Sequence, residues 1–145
     1  MIRNYNNPDY PSILELLALN TPDYFHPEEK AGLVYYLNNH SDNYFVLVSD
    51  NKILACGGYN YAEEAGIVNI SWDIVHPQYQ GKGFGSRLLK YRIDQVSQDK
   101  NVKIISVRTS QHAYRFYSNH GFKLTEIVKD YWAPGFDLYS MKFTI

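Results

Sequence analysis

Between residues 67 and 98 the chain passes from an apolar segment through three closely spaced glycines into an amphipathic stretch, and this unit limits the folds open to it. Ile67 to Val75 reads as a strand. Its Ile70, Trp72 and Ile74 are expected on one face, with Asn69, Ser71 and Asp73 on the other. After Pro77 comes Gln80-Gly-Lys-Gly-Phe-Gly85, then a predicted helix from about Ser86 to Gln98. Its Leu88, Leu89, Ile93 and Val96 share one side. A one-sided apolar helix that follows a strand through a short loop must lie back on the sheet, which makes the chain α/β.

The remaining elements fit that class. Ser12 to Leu19 carries Ile13, Leu14, Leu16 and Leu17 at helical spacing, and Pro27 with Glu28 and Glu29 opens a second helix to about Asn39. Tyr44–Val48, the turn Asp50-Asn51 and Ile53–Gly57 read as a hairpin. Val102 to Val107 is a β-branched strand, and Gln111 to Asn119 a short helix that Gly121 ends. Phe122–Val128 and Phe136–Phe143 are the last strands, with Asp130 to Gly135 expected as the loop between them. The order is ααβββαβαββ over an α+β mixed sheet, and the two strand–helix units of the second half form its parallel part. Neither repeat nor linker interrupts it, so residues 1–145 are expected to form a single domain.

Charge and cysteine content exclude several functions. Fourteen Lys+Arg against fifteen Asp+Glu give a net charge of −1, which leaves no broad basic face for nucleic acid. The single Cys56 sits in an apolar strand and reads as a small core residue; with no paired histidine spacing, no metal site is expected. The first residues lack the apolar core of a signal peptide and no apolar run approaches ~18 residues, so no membrane contact and a cytoplasmic location are expected. Fourteen tyrosines are many for this length, and tyrosine suits wet clefts as well as cores.

Gly81, Gly83 and Gly85 lie between a strand and a helix N-terminus. Glycine lets a backbone approach a ligand closely, and the helix end offers N–H groups with partial positive charge. A phosphate or pyrophosphate is the ligand this favours, with Lys82 or Arg87 adding charge. A Walker loop fails here because the position after Gly81-Lys82 holds Gly83 rather than a hydroxyl residue. A dinucleotide fingerprint fails because the third glycine comes one residue early and the next strand ends in Val107-Arg108-Thr109 without an acid.

Ile74-Val75-His76-Pro77-Gln78-Tyr79-Gln80-Gly81-Lys82-Gly83-Phe84-Gly85 resembles the acyl-CoA signature of the GNAT superfamily of N-acetyltransferases, (Gln/Arg)-x-x-Gly-x-(Gly/Ala) after a Val-x-Pro strand end. Ala113-Tyr-Arg-Phe116-Tyr117-Ser-Asn-His-Gly121-Phe122 resembles its second segment, Ala-x-x-(Leu/Phe)-Tyr-x-x-x-Gly-Phe. The resemblance implies a GNAT-like acyl-CoA N-acyltransferase fold and acetyl-CoA as cofactor. It implies that the backbone of Ile74 and Val75 pairs with the pantetheine arm. The N–H groups from about Gly81 to Ser86, through Lys82, Gly83, Phe84 and Gly85, would take the pyrophosphate, and Gln80 would belong to the same cofactor-binding segment. It also implies that Tyr117 protonates the departing thiolate and that the N–H of Asp73 or Ile74 stabilises the thioester oxygen. Packing of the short helix is the competing role for Tyr117.

Two positions depart from the pattern. Ser110 stands where the family often has Asn, and can still hydrogen-bond the cofactor arm. Asn69 stands where some members place a glutamate base, which makes Asp73 the nearest candidate proton acceptor, ahead of Glu63 and Glu64. Asp23-Tyr24-Phe25 and Asp130-Tyr131-Trp132 flank loops that would shape the acceptor site. The expected acceptor is a small-molecule amine or a peptide α-amine, and a homodimer is left open. The rival readings are a non-catalytic acyl-CoA-binding sensor on the same fold, and transfer of a longer acyl group or to a hydroxyl.

Overall fold

A computed structural model describes all 145 residues, Met1–Ile145. The strands are β1 (Ile2–Asn4), β2 (Tyr44–Ser49), β3 (Lys52–Tyr61), β4 (Ile67–Val75), β5 (Ile104–Thr109), β6 (Lys123–Ala133) and β7 (Phe136–Thr144). The helices are α1 (Tyr10–Leu19), α2 (Lys30–Asn39), α3 (Phe84–Ser97) and α4 (Tyr114–Ser118). Strands hydrogen-bond in the order β1-β2-β3-β4-β5-β7-β6, a seven-stranded mixed sheet in which β4 and β5 run parallel. The expected order ααβββαβαββ is present, preceded by β1. No helix is long and apolar enough to cross a membrane.

The chain divides into two compact units, residues 1–60 with 71–92 and residues 61–70 with 93–145. In the first unit, β1 pairs antiparallel with β2, and β2 with β3. Asp50 and Asn51 both have positive φ, +50° and +61°, as a two-residue hairpin turn of the primed type requires. Ile13, Leu16 and Leu17 of α1 and Leu33, Tyr36 and Leu37 of α2 bury one face of this sheet together with Tyr44, Val46, Cys56 and Ile74. On α3, Leu88 and Leu89 are buried as their spacing predicts.

In the second unit β4 pairs with β5 through Ile67↔Ile104, Val68↔Ile105 and Asn69↔Ser106. Strand β7 lies antiparallel between β5 and β6. Val68, Ile70, Ile105, Val107, Ala133, Leu138 and Met141 are the unit's buried apolar strand residues. The loop expected from Asp130 to Gly135 is mostly strand: β6 continues to Ala133 and β7 begins at Phe136. Asp130 makes this possible by taking φ +55° where the pairing register shifts.

Candidate functional site

Strand β4 ends in a knot of side-chain amides. The Val75 carbonyl accepts from Asn20 Nδ2 at 3.1 Å and from Gln80 Nε2 at 3.3 Å. Asn20 Nδ2 also donates to the Leu16 carbonyl at 2.8 Å, and its Oδ1 accepts from Gln80 Nε2 at 3.1 Å. Asn20 is only 2% exposed, a burial that a polar side chain tolerates when both its donors and its acceptor find partners. It fastens the C-terminal end of α1 to the end of β4, a role its sequence position in an Asn-Thr-Pro stretch did not reveal. The Gln80 side chain is committed to this tie. A turn of 3₁₀-helix, Pro77–Tyr79, follows, with His76 Nδ1 accepting from the Gln78 N–H at 3.1 Å.

The loop beyond it turns on two of its three glycines. Gly81 has φ +76° and Gly83 φ +86°, conformations that glycine adopts without strain, whereas Gly85 is already inside α3. A Cβ placed on either Gly81 or Gly83 meets no atom of the protein within 4 Å, so the space above the loop is open. The Arg87 N–H bonds the Gly83 carbonyl at 3.0 Å. The N–H groups of Phe84, Gly85 and Ser86 precede that bond in the first turn, where an α-helix leaves its donors unpaired and partly positive. The ammonium groups of Lys82 and Lys52 lie 5.5 and 5.6 Å from the centre of the Tyr79 ring, which holds two positive charges beside the loop. Oriented N–H groups, open space and lysines suit an anionic ligand such as a pyrophosphate.

Upstream, β4 departs from simple alternation. Trp72 has φ +49°, a left-handed conformation that costs a non-glycine residue about 1–3 kcal/mol. Its carbonyl accepts from the Tyr44 hydroxyl at 2.7 Å, and its ring stacks on Phe25 at 6.1 Å. The Ser71 hydroxyl donates to Asn60 Oδ1 at 2.7 Å, and that oxygen also accepts from the Tyr36 hydroxyl of α2 at 2.9 Å. Ser71 and Trp72 therefore both turn toward the α2 side. The expected split, with Ser71 opposite Trp72, is corrected by this break.

Asp73 faces away from them. Its Oδ1 forms an ion pair at 2.5 Å with Nη1 of Arg92, which is 1% exposed on α3. Arg92 also donates from Nε to the Leu88 carbonyl at 3.1 Å and from Nη1 to the Gly58 carbonyl at 3.0 Å. Nearby groups stay protonated: burial pushes the Tyr36 hydroxyl and the Cys56 thiol up to about 12, and Tyr44 well above the ordinary phenol range. A thiol so held is inert, which agrees with Cys56 as a core residue.

In the second unit Tyr117 lies on α4, 4% exposed, with its ring edge-on to Phe116 at 5.1 Å and Phe122 at 5.6 Å. The Phe122 N–H bonds the Tyr117 carbonyl at 3.1 Å across Gly121 at φ +91°, the closure expected of a glycine helix end. The Ser110 hydroxyl accepts from the His112 N–H at 3.2 Å, and its carbonyl accepts from Ala113 and Tyr114. Its side chain thus shapes the turn into α4. At the far end of β6 the Arg108 guanidinium lies 4.9 Å from the Tyr131 ring centre and 5.8 Å from that of Trp132. Trp132 Nε1 donates to the Thr109 carbonyl at 3.1 Å, and Asp130 Oδ1 accepts from the Gly135 N–H at 2.8 Å. Asn69 pairs in register with Ser106.

Residues 40–124, more than half of the chain, match the acetyltransferase (GNAT) domain family, and the chain belongs to that family. It is similar to an amino-acid acetyltransferase of Neisseria meningitidis serogroup A, 31% identical over 98 residues, which cover 64% of this chain and 21% of that protein. The chain thus spans about a fifth of the length of the curated relatives it matches. Among solved structures, N-acetylglutamate synthase from Neisseria gonorrhoeae, complexed with coenzyme A and N-acetyl-glutamate, superposes with TM-score 0.78 at 21% identity, covering 99% of this chain and 34% of that one. Ribosomal-protein-alanine N-acetyltransferase from Brucella melitensis gives 0.74 at 16% identity, covering 100% and 99%. At these identities the structural likeness establishes the fold.

Proposed function

We propose that residues 1–145 form one cytoplasmic N-acetyltransferase domain that moves an acetyl group from acetyl-CoA to an amine by direct attack. The observation that carries this reading is the loop Gly81–Gly83, left-handed at both glycines and open where a Cβ would project, at the entry to α3. The residues present fit the pyrophosphate of acetyl-CoA, which supplies the thioester when bound. The N–H groups from about Gly81 to Ser86 hold the phosphates, with Lys82 adding charge and Gln80 bracing the start of the segment. The backbone of Ile74 and Val75 aligns the pantetheine arm; the Val75 carbonyl already accepts two amides, which leaves that task mainly to the other groups of the pair. The Asp73 or Ile74 N–H donates to the thioester oxygen, and Tyr117 gives its proton to the departing thiolate. Ser110 steers the cofactor arm through the turn it shapes, and Asp73 is the candidate proton acceptor from the amine.

The acceptor follows from proton chemistry. A lysine-like amine with pKa ~10.4 is only about 0.04% neutral at pH 7 and needs ~4.6 kcal/mol of help to deprotonate, whereas an α-amine at ~7.7–8.0 is already roughly 10–17% neutral. With Asn69 where a glutamate base could stand, a peptide α-amine, or a small-molecule amine of similarly low pKa, is the acceptor that asks least of the protein. The ribosomal-protein-alanine acetyltransferase among the similar proteins is named for an acceptor that carries such an amine. Rates for acceptors of graded amine pKa, compared at pH 7 and pH 9, test this. Low-pKa amines are expected to be turned over faster at pH 7, the gap narrowing roughly tenfold by pH 9. Equal rates at pH 7, unmoved by Asp73→Asn, would mean that an efficient base lies elsewhere.

A further inference from the structure

We infer that Arg92 is a positioning residue that fixes the break in β4 and thereby aims the backbone of Asp73 and Ile74. The inference rests on the acetyltransferase reading only for what that backbone then does.

Three observations meet at the break. Trp72, with φ +49°, holds a conformation that a large aromatic keeps only where its surroundings leave no alternative. The two residues at the break are gripped from opposite faces of the strand. Trp72 is held by the Tyr44 hydroxyl on its carbonyl, by the stacked Phe25 ring, and by Gly32, where a Cβ would stand 3.4 Å from the indole. Asp73 is held by Arg92. The space for this second grip exists because β3 omits a side chain: a Cβ on Gly57 would stand 2.1 Å from Asp73 Oδ1 and 2.8 Å from Arg92 Nη1.

Packing alone does not account for the arginine. It interrupts the apolar stripe Leu88–Arg92–Val96, and two apolar side chains would fill the same volume without taking a guanidinium out of water. What the charged pair adds is direction. The planar fork of Arg92 is aimed by its bonds to the Leu88 and Gly58 carbonyls, so it meets β4 at one place and in one orientation. A backbone N–H that stabilises developing charge is effective only when aimed before the reaction begins. On this account Arg92 acts through Asp73 and touches no reacting atom.

Arg92→Lys tests the inference, because it keeps the charge and leaves Asp73 intact while removing the fork. Expected are a kcat about tenfold lower, a KM for acetyl-CoA within about twofold, and amide hydrogen exchange about tenfold faster in residues 71–75. Exchange in residues 45–47 of β2 should be unchanged. The double variant Arg92→Met/Asp73→Leu, which replaces the pair by apolar side chains, should fold and show the same faster exchange. Wild-type exchange rates in both folded variants overturn the inference, as does a kcat that holds in Arg92→Lys while exchange quickens. A wild-type protein that neither binds CoA nor acetylates any amine brings down the acetyltransferase reading instead, and the exchange rates then decide the inference alone.

Discussion

Replacing Tyr117 with phenylalanine is expected to lower kcat by roughly 10²–10⁴-fold while the protein stays folded. The ring is 4% exposed and wedged between Phe116 and Phe122, so its apolar bulk belongs to the packing of α4 and phenylalanine retains all of it. The hydroxyl is the only group removed. Loss of one hydrogen bond costs about 1 kcal/mol, which shifts the melting temperature by a few degrees and leaves a measurable enzyme. An ordinary phenol, with pKa ≈ 10, carries its proton at neutral pH and matches the basicity of a leaving thiolate, so the chemical consequence of losing it exceeds the structural one by a wide margin. Steady-state kinetics with CoA release as the readout, alongside thermal unfolding, separates the two. Full activity in a folded variant would return Tyr117 to a packing role.

The second large effect belongs to the loop. Gly83→Val places a β-branched side chain at φ +86°, where L-residues pay at least ~1–2 kcal/mol, so the backbone retreats from that conformation. No protein atom lies within 4 Å of the added Cβ, which means that the fold itself has nothing to clash with. The cost therefore falls on the ligand: N–H groups leave their places, and the new side chain fills the open space. Each hydrogen bond to a charged group contributes about 1.5–3 kcal/mol, so losing one or two weakens binding roughly 10–10⁴-fold. Calorimetric titration with acetyl-CoA should show that loss with a melting temperature within a few degrees of wild type. Unchanged affinity in the folded variant would remove the loop from the site.

The parts of this fold that rest on local patterning were legible in the residues. Ile67–Val75 is a strand with those bounds, Asp50-Asn51 forms the turn its composition demands, and Gly121 ends α4. What escaped depends on distant partners. Strand β1 is three residues long, too short for a period, and exists because Phe45–Leu47 offers it a ladder. Asp130 to Gly135 reads as a loop, yet the left-handed Asp130 absorbs the irregularity and lets β6 run on to Ala133. Alternation failed at Trp72 because a tertiary grip overrides the strand's own preference. Arg92 stands between Leu88 and Val96 in an otherwise apolar stripe, a signal the sequence carries, whereas its partners Gly58 and Asp73 emerge only from the fold. Asn20 gave no such sign; its role appears only when α1 and the end of β4 are brought together.

The central claim is that this chain transfers acetyl groups to amines. Its most direct test is to follow acetyl-CoA consumption by the purified protein with a panel of α-amino acids, short peptides and polyamines, weighing the products by mass spectrometry. The account predicts one amine gaining a single acetyl group for each CoA released, at a rate that collapses in Tyr117→Phe. Tight binding of acetyl-CoA with no product from any amine in the panel would contradict it, and would assign the chain to sensing acyl-CoA rather than spending it.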